Sequence, residues 1–320
     1  MDYYHFLYVL PAVFVLDLLL GDPPEWPHPV RWMGRAISAV EPDFRGIPIK
    51  PTISGGLFAL FLILCTWVAT YLILKVAYLI HPVLKIMIEM VLIYFCISIR
   101  SLEKAAMVVS AALSQNKLDD ARQKVSLIVG RDVKSLDENG VARASVETVA
   151  ENLVDGIISP LFFAAIGGAP LAMAYKMVNT LDSMVGYKNE TYREFGTVSA
   201  RIDDILNYLP ARLSVPLIAL AAQLINRKGA VSFKTAWKEG ANHSSPNSGY
   251  SEAAFAGALG IKLGGPNFYH GILVTKPFIG EDFGEAGTAH IKRACDLMLL
   301  SSIFWGAALW LIIAGVIYFA

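Results

Sequence analysis

The run ISGGLFALFLILCTWVATYLIL, Ile53–Leu74, contains no Asp, Glu, Lys or Arg. A bilayer's hydrocarbon core needs about 20 mostly apolar helical residues to cross it, so this stretch reads as a membrane helix. Working outward from it, Leu297–Phe319 reads the same way. Tyr3–Leu20 is a third candidate. Its flank carries Asp2 rather than a basic residue and no small-residue cleavage site follows, so it reads as a span and not as a removable leader. Val83–Ile99 is a fourth, weakened by Lys85 and Glu89. Ile157–Met173 and Leu206–Ile225 are shorter, broken by Gly167-Gly168-Ala169-Pro170 and by Pro210 and Pro216. No segment alternates with period two, which excludes a barrel. The reading is an all-α, polytopic integral membrane protein with four to six membrane helices.

Composition agrees. Of 320 residues, 55% are hydrophobic and 17% charged, where soluble domains carry about a quarter charged; mean hydropathy is +0.50. The net charge of zero gives no broad attraction to nucleic acid or anionic lipid. Cys65, Cys96 and Cys295 lie in or beside apolar runs without CxxC spacing and read as small buried hydrophobes.

With neither a repeat nor a low-complexity tract, residues 1–320 read as a single membrane domain with polar loops at about 21–52, 100–156, 176–205 and 226–296. Within Arg100–Arg143, Leu102, Ala105, Ala106, Val109 and Leu113 recur at helical spacing. Asp137-Glu138-Asn139-Gly140 should break that helix, and a new one should start at about Val141. Basic residues in the first two loops place those loops in the cytoplasm and the N-terminus outside. Simple crossings would then put 176–205 on the wrong side of the membrane. A re-entrant hairpin at Gly167–Pro170, and a similar device around Pro216, would resolve that.

Four polar clusters interrupt this apolar background. In ASVETVAENLVDG (144–156), Glu147, Glu151 and Asp155 share a helical stripe with Arg143, and Asn152 lies at its margin. A solvated helix face accounts for one such pair. Three carboxylates running into a membrane segment suit a magnesium ion, which takes hard oxygen ligands. In KMVNTLDSMVGYKNE (176–190), Asn179, Asp182 and Ser183 accompany Lys176 at a depth where polar groups are costly; a snorkelling helix end is the plainer account. In RIDDILNYLPAR (201–212), Arg201 and Asp204 read as a structural pair. In NHSSPNSGYSE (242–252), Ser251 resembles an N-cap, and the loop's amides suit phosphate. Asp17, near the end of an apolar helix, requires a partner. The familiar nucleotide and hydrolase signatures GxxxxGK[ST], HExxH, GxSxG and GxGxxG are absent.

Together, LDLLLGDPPEWPHPVRWMGR, RASVETVAENLVDGIISPLFF, YKMVNTLDSMVGYKNETYREFG, ARIDDILNYLPARL and HSSPNSGYSEAAFAGALGIKLGGPNFY resemble the adenosylcobinamide-phosphate synthase family of cobalamin biosynthesis, from Asp17 to about Tyr269. The resemblance implies a polytopic inner-membrane ligase with its site facing the cytoplasm. It would join a propionate carboxylate of adenosylcobyric acid to aminopropanol phosphate, ethanolamine phosphate or aminopropanol, using ATP and Mg2+. Corrinoid, amino-alcohol phosphate, ATP and the bilayer are the implied partners, together with other membrane enzymes of nucleotide-loop assembly and no nucleic acid. Residue chemistry placed on these motifs assigns Glu147, Glu151 and Asp155 to metal, and Glu147, Glu151, Asp182 and His243 to catalysis. It assigns Asp17, Asp22, Asn152, Lys176, Asn179, Lys188, Arg201, Asp204, Ser245 and Asn247 to substrate and nucleotide. Two rivals stay open: an intramembrane metal-diphosphate transferase of prenyl or phosphatidyl type, which would need a second acidic helix, and an ion-coupled transporter, against which stands the lack of paired inverted halves.

Overall fold

The computed structural model describes residues 3–23, 25–187, 189–269 and 271–319 and is 76% helical. Among the described residues, five helical stretches are long and apolar enough to cross a membrane: Pro51–Ile80, Pro82–Ser114, Glu138–Val185, Thr197–Asn226 and Thr288–Phe319. The all-α integral membrane class therefore holds. The expected N-terminal span shortens to α1, Phe6–Leu20. At 1.5 Å per residue its 15 residues reach about 22 Å, less than the hydrocarbon core. Gly21 ends it at φ 63°, ψ −147°, in a region open only to glycine.

The chain forms two compact units. The first comprises Met1–Ser98, Asp155–Asn207 and Gly306–Ala320; the second comprises Ile99–Val154 and Tyr208–Trp305.

In the first unit, proline opens α2 (Pro29–Arg45), α3 (Pro51–Ile80) and α4 (Pro82–Tyr94), where its missing N–H is no loss. The His28 and His81 rings cap α2 and α4 by accepting from Val30 N–H (3.1 Å) and Val83 N–H (3.2 Å). α3 packs against α2, α4 and α8 (Ser159–Val185). Its outer face leaves Leu60, Leu64, Leu72 and Leu79 exposed, a surface that lipid accommodates and water does not. Cys65 is exposed on this helix, whereas Cys96 and Cys295 are buried as expected.

The break expected in α8 is present. Gly167 (φ −144°, ψ 23°) and Gly168 (φ 65°, ψ −159°) leave helical geometry, and helix resumes beyond them. The Ala169 N–H freed by the break donates to Glu89 Oε1 at 3.4 Å. A Cβ on Gly168 would lie 2.3 Å from that same oxygen. Gly168→Ala is therefore expected to cost about 1–3 kcal/mol, seen as an earlier thermal transition of the purified protein in detergent. The break expected around Pro216 is not found: α9, Thr197–Asn226, runs through Pro210 and Pro216 as one helix, since membrane helices tolerate proline where neighbours re-satisfy the backbone.

In the second unit, Asp137-Glu138-Asn139-Gly140 starts a helix instead of breaking one. Asp137 Oδ1 accepts from Gly140 N–H at 2.7 Å and caps α7, Glu138–Leu153. The amphipathic stretch before it forms two helices, α5 (Ile99–Ser114) and α6 (Leu118–Val125), separated by a turn with Asn116 at φ 55°. α5, α6 and α11 (Ser248–Leu259) pack around α7, and α10 (Gly229–Glu239) packs on α11. Two small antiparallel pairs, which the all-helical reading did not anticipate, complete the unit. β1 (Leu263–Gly264) pairs with β4 (Phe278–Ile279), and β2 (Asn267–Tyr269) pairs with β3 (Ile272–Val274).

Candidate active-site clusters

The second unit gathers Glu147, Glu151, His243, Ser245 and Asn247 with partners that sequence reading did not select. α7 is buried over most of its length, so Glu147 does not lie on a solvated face. Glu147 is 4% exposed. Its Oε1 accepts from Gly264 N–H at 2.6 Å and its Oε2 accepts from the Arg131 guanidinium. Arg131 Nη1 also donates to Asn267 Oδ1 at 2.9 Å. Burial works against the charge on Arg131, but Glu147 outweighs it and holds the guanidinium pKa above its usual value. Gly264 and Gly265 have φ of 75° and 80°, and a Cβ on Gly265 would collide with the Phe278 ring at 2.2 Å. The loop can therefore bring its amide to Glu147 only with glycine there.

α11 supplies the second arm. Glu252, 4% exposed, lies within its first turns. His243 Nδ1 accepts from Ser245 N–H (3.1 Å), so the neutral ring carries its proton on Nε2, which sits 3.7 Å from Glu252 Oε1. Burial, then Glu147 and Glu151, push the Glu252 carboxyl well above the ordinary carboxylate range. Burial, then Lys276, lower the His243 pKa and keep that ring neutral. In that tautomer the Nε2–H of His243 is directed towards Glu252 at 3.7 Å, beyond hydrogen-bond reach.

Ser251 is not the N-cap. It is buried inside α11 and donates to the Ser248 carbonyl at 3.1 Å. Ser245 Oγ instead accepts from Asn247 N–H (3.2 Å) and Ser248 N–H (3.3 Å). The loop amides expected to hold phosphate are thus engaged within the loop. A cation stands beside them: Arg212 Nη1 donates to Asn247 Oδ1 at 3.2 Å, and its guanidinium lies 3.4 Å above the Tyr208 ring. Ser248 Oγ donates to Glu151 Oε1 at 3.4 Å, with Glu151 itself exposed. Asn152 Nδ2 donates to the Thr148 carbonyl at 3.0 Å and is turned to its own helix.

The first unit holds a separate network. Residues Val154–Ile158 form a π-helical turn, which interrupts the four-residue stripe at Asp155. Asp155 Oδ2 accepts from Asn179 Nδ2 at 3.3 Å. Asn207 Oδ1 accepts from Tyr175 Oη (2.9 Å) and Ser159 Oγ (2.6 Å), and Asn207 Nδ2 donates to Asp203 Oδ2 at 2.9 Å. Asp203 is 8% exposed, and among the described residues its Oδ1 has no hydrogen-bond partner. Lys176 and Asp182 are half-buried on α8, and the Asp182 carbonyl accepts from Gly186 N–H at 2.8 Å, closing the helix. Arg201 is exposed and Asp204 half-buried on α9. Asp17 is buried at 1% exposure, and its carbonyl accepts from Gly21 N–H at 2.8 Å. Asp22 pairs with His28 Nε2 at 3.0 Å, which ties it to the α2 cap. Lys188 lies outside the described residues.

Metal binding by Glu147, Glu151 and Asp155 does not fit this arrangement. Both Glu147 oxygens are committed to protein donors. Among the described residues, no group of three or more His, Cys, Asp or Glu is placed to hold a metal ion. Sequence reading missed Arg131, Arg212 and Glu252 as functional candidates. None belongs to a local acidic or basic pattern, and each gains its meaning from a partner distant in the chain.

The comparisons agree with one another. A family model described as CobD/Cbib protein matches residues 10–298. Cobalamin biosynthesis protein CobD of Klebsiella pneumoniae is 48% identical over 309 residues, covering 94% of this chain and 97% of the relative. Cobalamin biosynthesis protein CbiB of Salmonella arizonae is 48% identical over 306 residues, covering 93% and 96%. Cobalamin biosynthesis protein CobD of Photorhabdus laumondii is 46% identical over 294 residues, covering 91% and 92%. No solved structure matches the chain.

Proposed function

The chain belongs to the CobD/CbiB family, and from that premise we propose that it is the ATP-dependent amide ligase of cobalamin biosynthesis in the inner membrane, with its site facing the cytoplasm. It joins a propionate carboxylate of adenosylcobyric acid to the amine of aminopropanol phosphate or a close analogue. Attack of the corrinoid carboxylate on the γ-phosphorus of ATP gives an acyl phosphate and ADP. The neutral amine then attacks the acyl carbon, phosphate leaves with the C–O bond electrons, and the nitrogen gives up a proton. Magnesium enters as part of the nucleotide substrate.

The observation that carries this reading is the buried Glu252 carboxyl, approached by His243 Nε2 at 3.7 Å and under the electrostatic influence of the Arg131–Glu147 pair. An amine presented there delivers its proton to Glu252, and His243 steadies the carboxylate before and after the transfer. Arg212, held over Tyr208 and beside Asn247, supplies planar cationic charge suited to phosphate oxygens. Lys176, Asn179 and Asp182 remain candidate substrate contacts in the first unit. Burial of Glu147 and Glu252 limits water at the acyl phosphate.

The test is to incubate the purified membrane protein with adenosylcobyric acid, ATP, magnesium and each candidate amine, and to weigh the corrinoid product. A mass gain equal to the amine minus water, with nucleotide cleavage that requires both amine and corrinoid, is the expected result. Nucleotide-independent product or no product refutes the ligase reading.

A further inference from the structure

The first unit contains a cavity of about 460 Å³ that the Asp155–Asn207 network does not line. Two helical faces build most of it, and His5, Gly167, Gly168 and Pro170 close it. On α3, Tyr71, Lys75 and Tyr78 recur at spacings of four and three; on α4, Pro82, Lys85 and Glu89 recur at three and four. Each set lies on one side of its helix. Glu89 is 2% exposed and accepts from Lys85 Nζ at 2.7 Å, His5 Nε2 at 3.1 Å and Ala169 N–H at 3.4 Å. That carboxylate is saturated with donors. Lys75 is exposed and forms no ion pair among the described residues. Counting only the two lysines and the glutamate, the lining carries one net positive charge.

The position of this charge matters. Lys75 is the first ionisable residue after the apolar run Ile53–Leu74, so it stands level with lipid headgroups, where a lysine and two tyrosines are at home. Leu64, Val68, Leu72 and Ile73 are exposed on the same helix on the bilayer side of Lys75, an apolar flank for acyl chains. A volume of about 460 Å³ admits a glycerophosphate head but not two chains, which must lie outside it. One phosphodiester would bring the lining to neutrality, and neutral pairing is favoured at low dielectric.

We propose that this cavity binds the headgroup of an anionic phospholipid, with Lys75 and Lys85 facing the phosphate, the Tyr71 and Tyr78 hydroxyls as donors, and the chains lying along α3. The site is local, so it needs no net charge on the protein.

The test uses the full-length protein in nanodiscs of phosphatidylcholine with and without phosphatidylglycerol, read by native mass spectrometry of retained lipid and by thermal melting. Wild type is expected to retain phosphatidylglycerol over phosphatidylcholine by about fivefold, the worth of one interfacial lysine. Lys75→Gln, at an exposed position that leaves the Lys85–Glu89 pair intact, should bring that ratio to about one without changing melting in pure phosphatidylcholine. Equal retention by wild type, or a preference that survives Lys75→Gln, overturns the proposal. So does glycerol 3-phosphate in phosphatidylcholine discs if it raises the melting temperature as much as the anionic lipid does, because the site would then take a soluble phosphate ester.

Discussion

Glu252→Gln will lower the rate of amide formation by about 10² to 10⁴-fold while making the protein more resistant to heat at pH 8. Both effects come from the same burial. The folded protein holds the Glu252 carboxyl well above the ordinary carboxylate range, so the fold favours the protonated form. A group raised in this way contributes stability that is complete below its ordinary pKa and is lost as pH rises through the raised value. Gln, always neutral, keeps that stability. The melting temperatures of variant and wild type should therefore coincide near pH 4 and diverge upward for the variant as pH increases. The catalytic consequence has the opposite sign. Wild-type turnover requires the deprotonated carboxylate, so its rate should climb with pH across a range displaced above that of a free carboxyl, and the variant should lose this limb. Activity that survives with an unchanged pH profile would place the proton acceptor elsewhere.

Glu147→Ala is expected to destabilise the protein by about 3–5 kcal/mol, the cost of leaving a buried charge without its partner. Arg131 would lose its counter-ion, and Gly264 N–H its acceptor. Arg131→Met combined with Glu147→Leu removes both charges and should recover most of that loss in thermal or denaturant unfolding in detergent. The single and double variants together give a coupling energy that a surface pair would not show. Should the double variant also recover amide formation, the pair would be a packing device without a part in the reaction. The expected result is a stable protein with little activity, because the loop at Gly264-Gly265 would keep its fold but lose the charge that faces Glu252.

The metal assignment illustrates how far local spacing reaches. Glu147, Glu151 and Asp155 recur at four, and helical geometry puts such residues on one stripe. That inference is sound for an isolated helix. It cannot register that Arg131, 16 positions earlier, and Gly264, 117 positions later, satisfy Glu147, or that a π-helical turn begins at Val154. The histidine shows the same limit: the Ser245 amide engages His243 Nδ1, and the partner near its other nitrogen, Glu252, comes from a separate helix.

By itself, the sequence determined that this chain lives in a bilayer, where its helices break at Gly167-Gly168, and which family it resembles. Transfer of apolar side chains into hydrocarbon sums residue by residue along a segment, and a glycine pair that opens a helix does so through its own backbone freedom. Only the tertiary structure decided that Pro216 does not break α9, that Arg131 and the Gly264 N–H meet Glu147, and that Glu252 is buried beside His243. Those outcomes depend on which donors and charges meet across long separations in the chain. In a water-poor interior each polar group must find such a partner, and no periodicity within one helix records where that partner comes from.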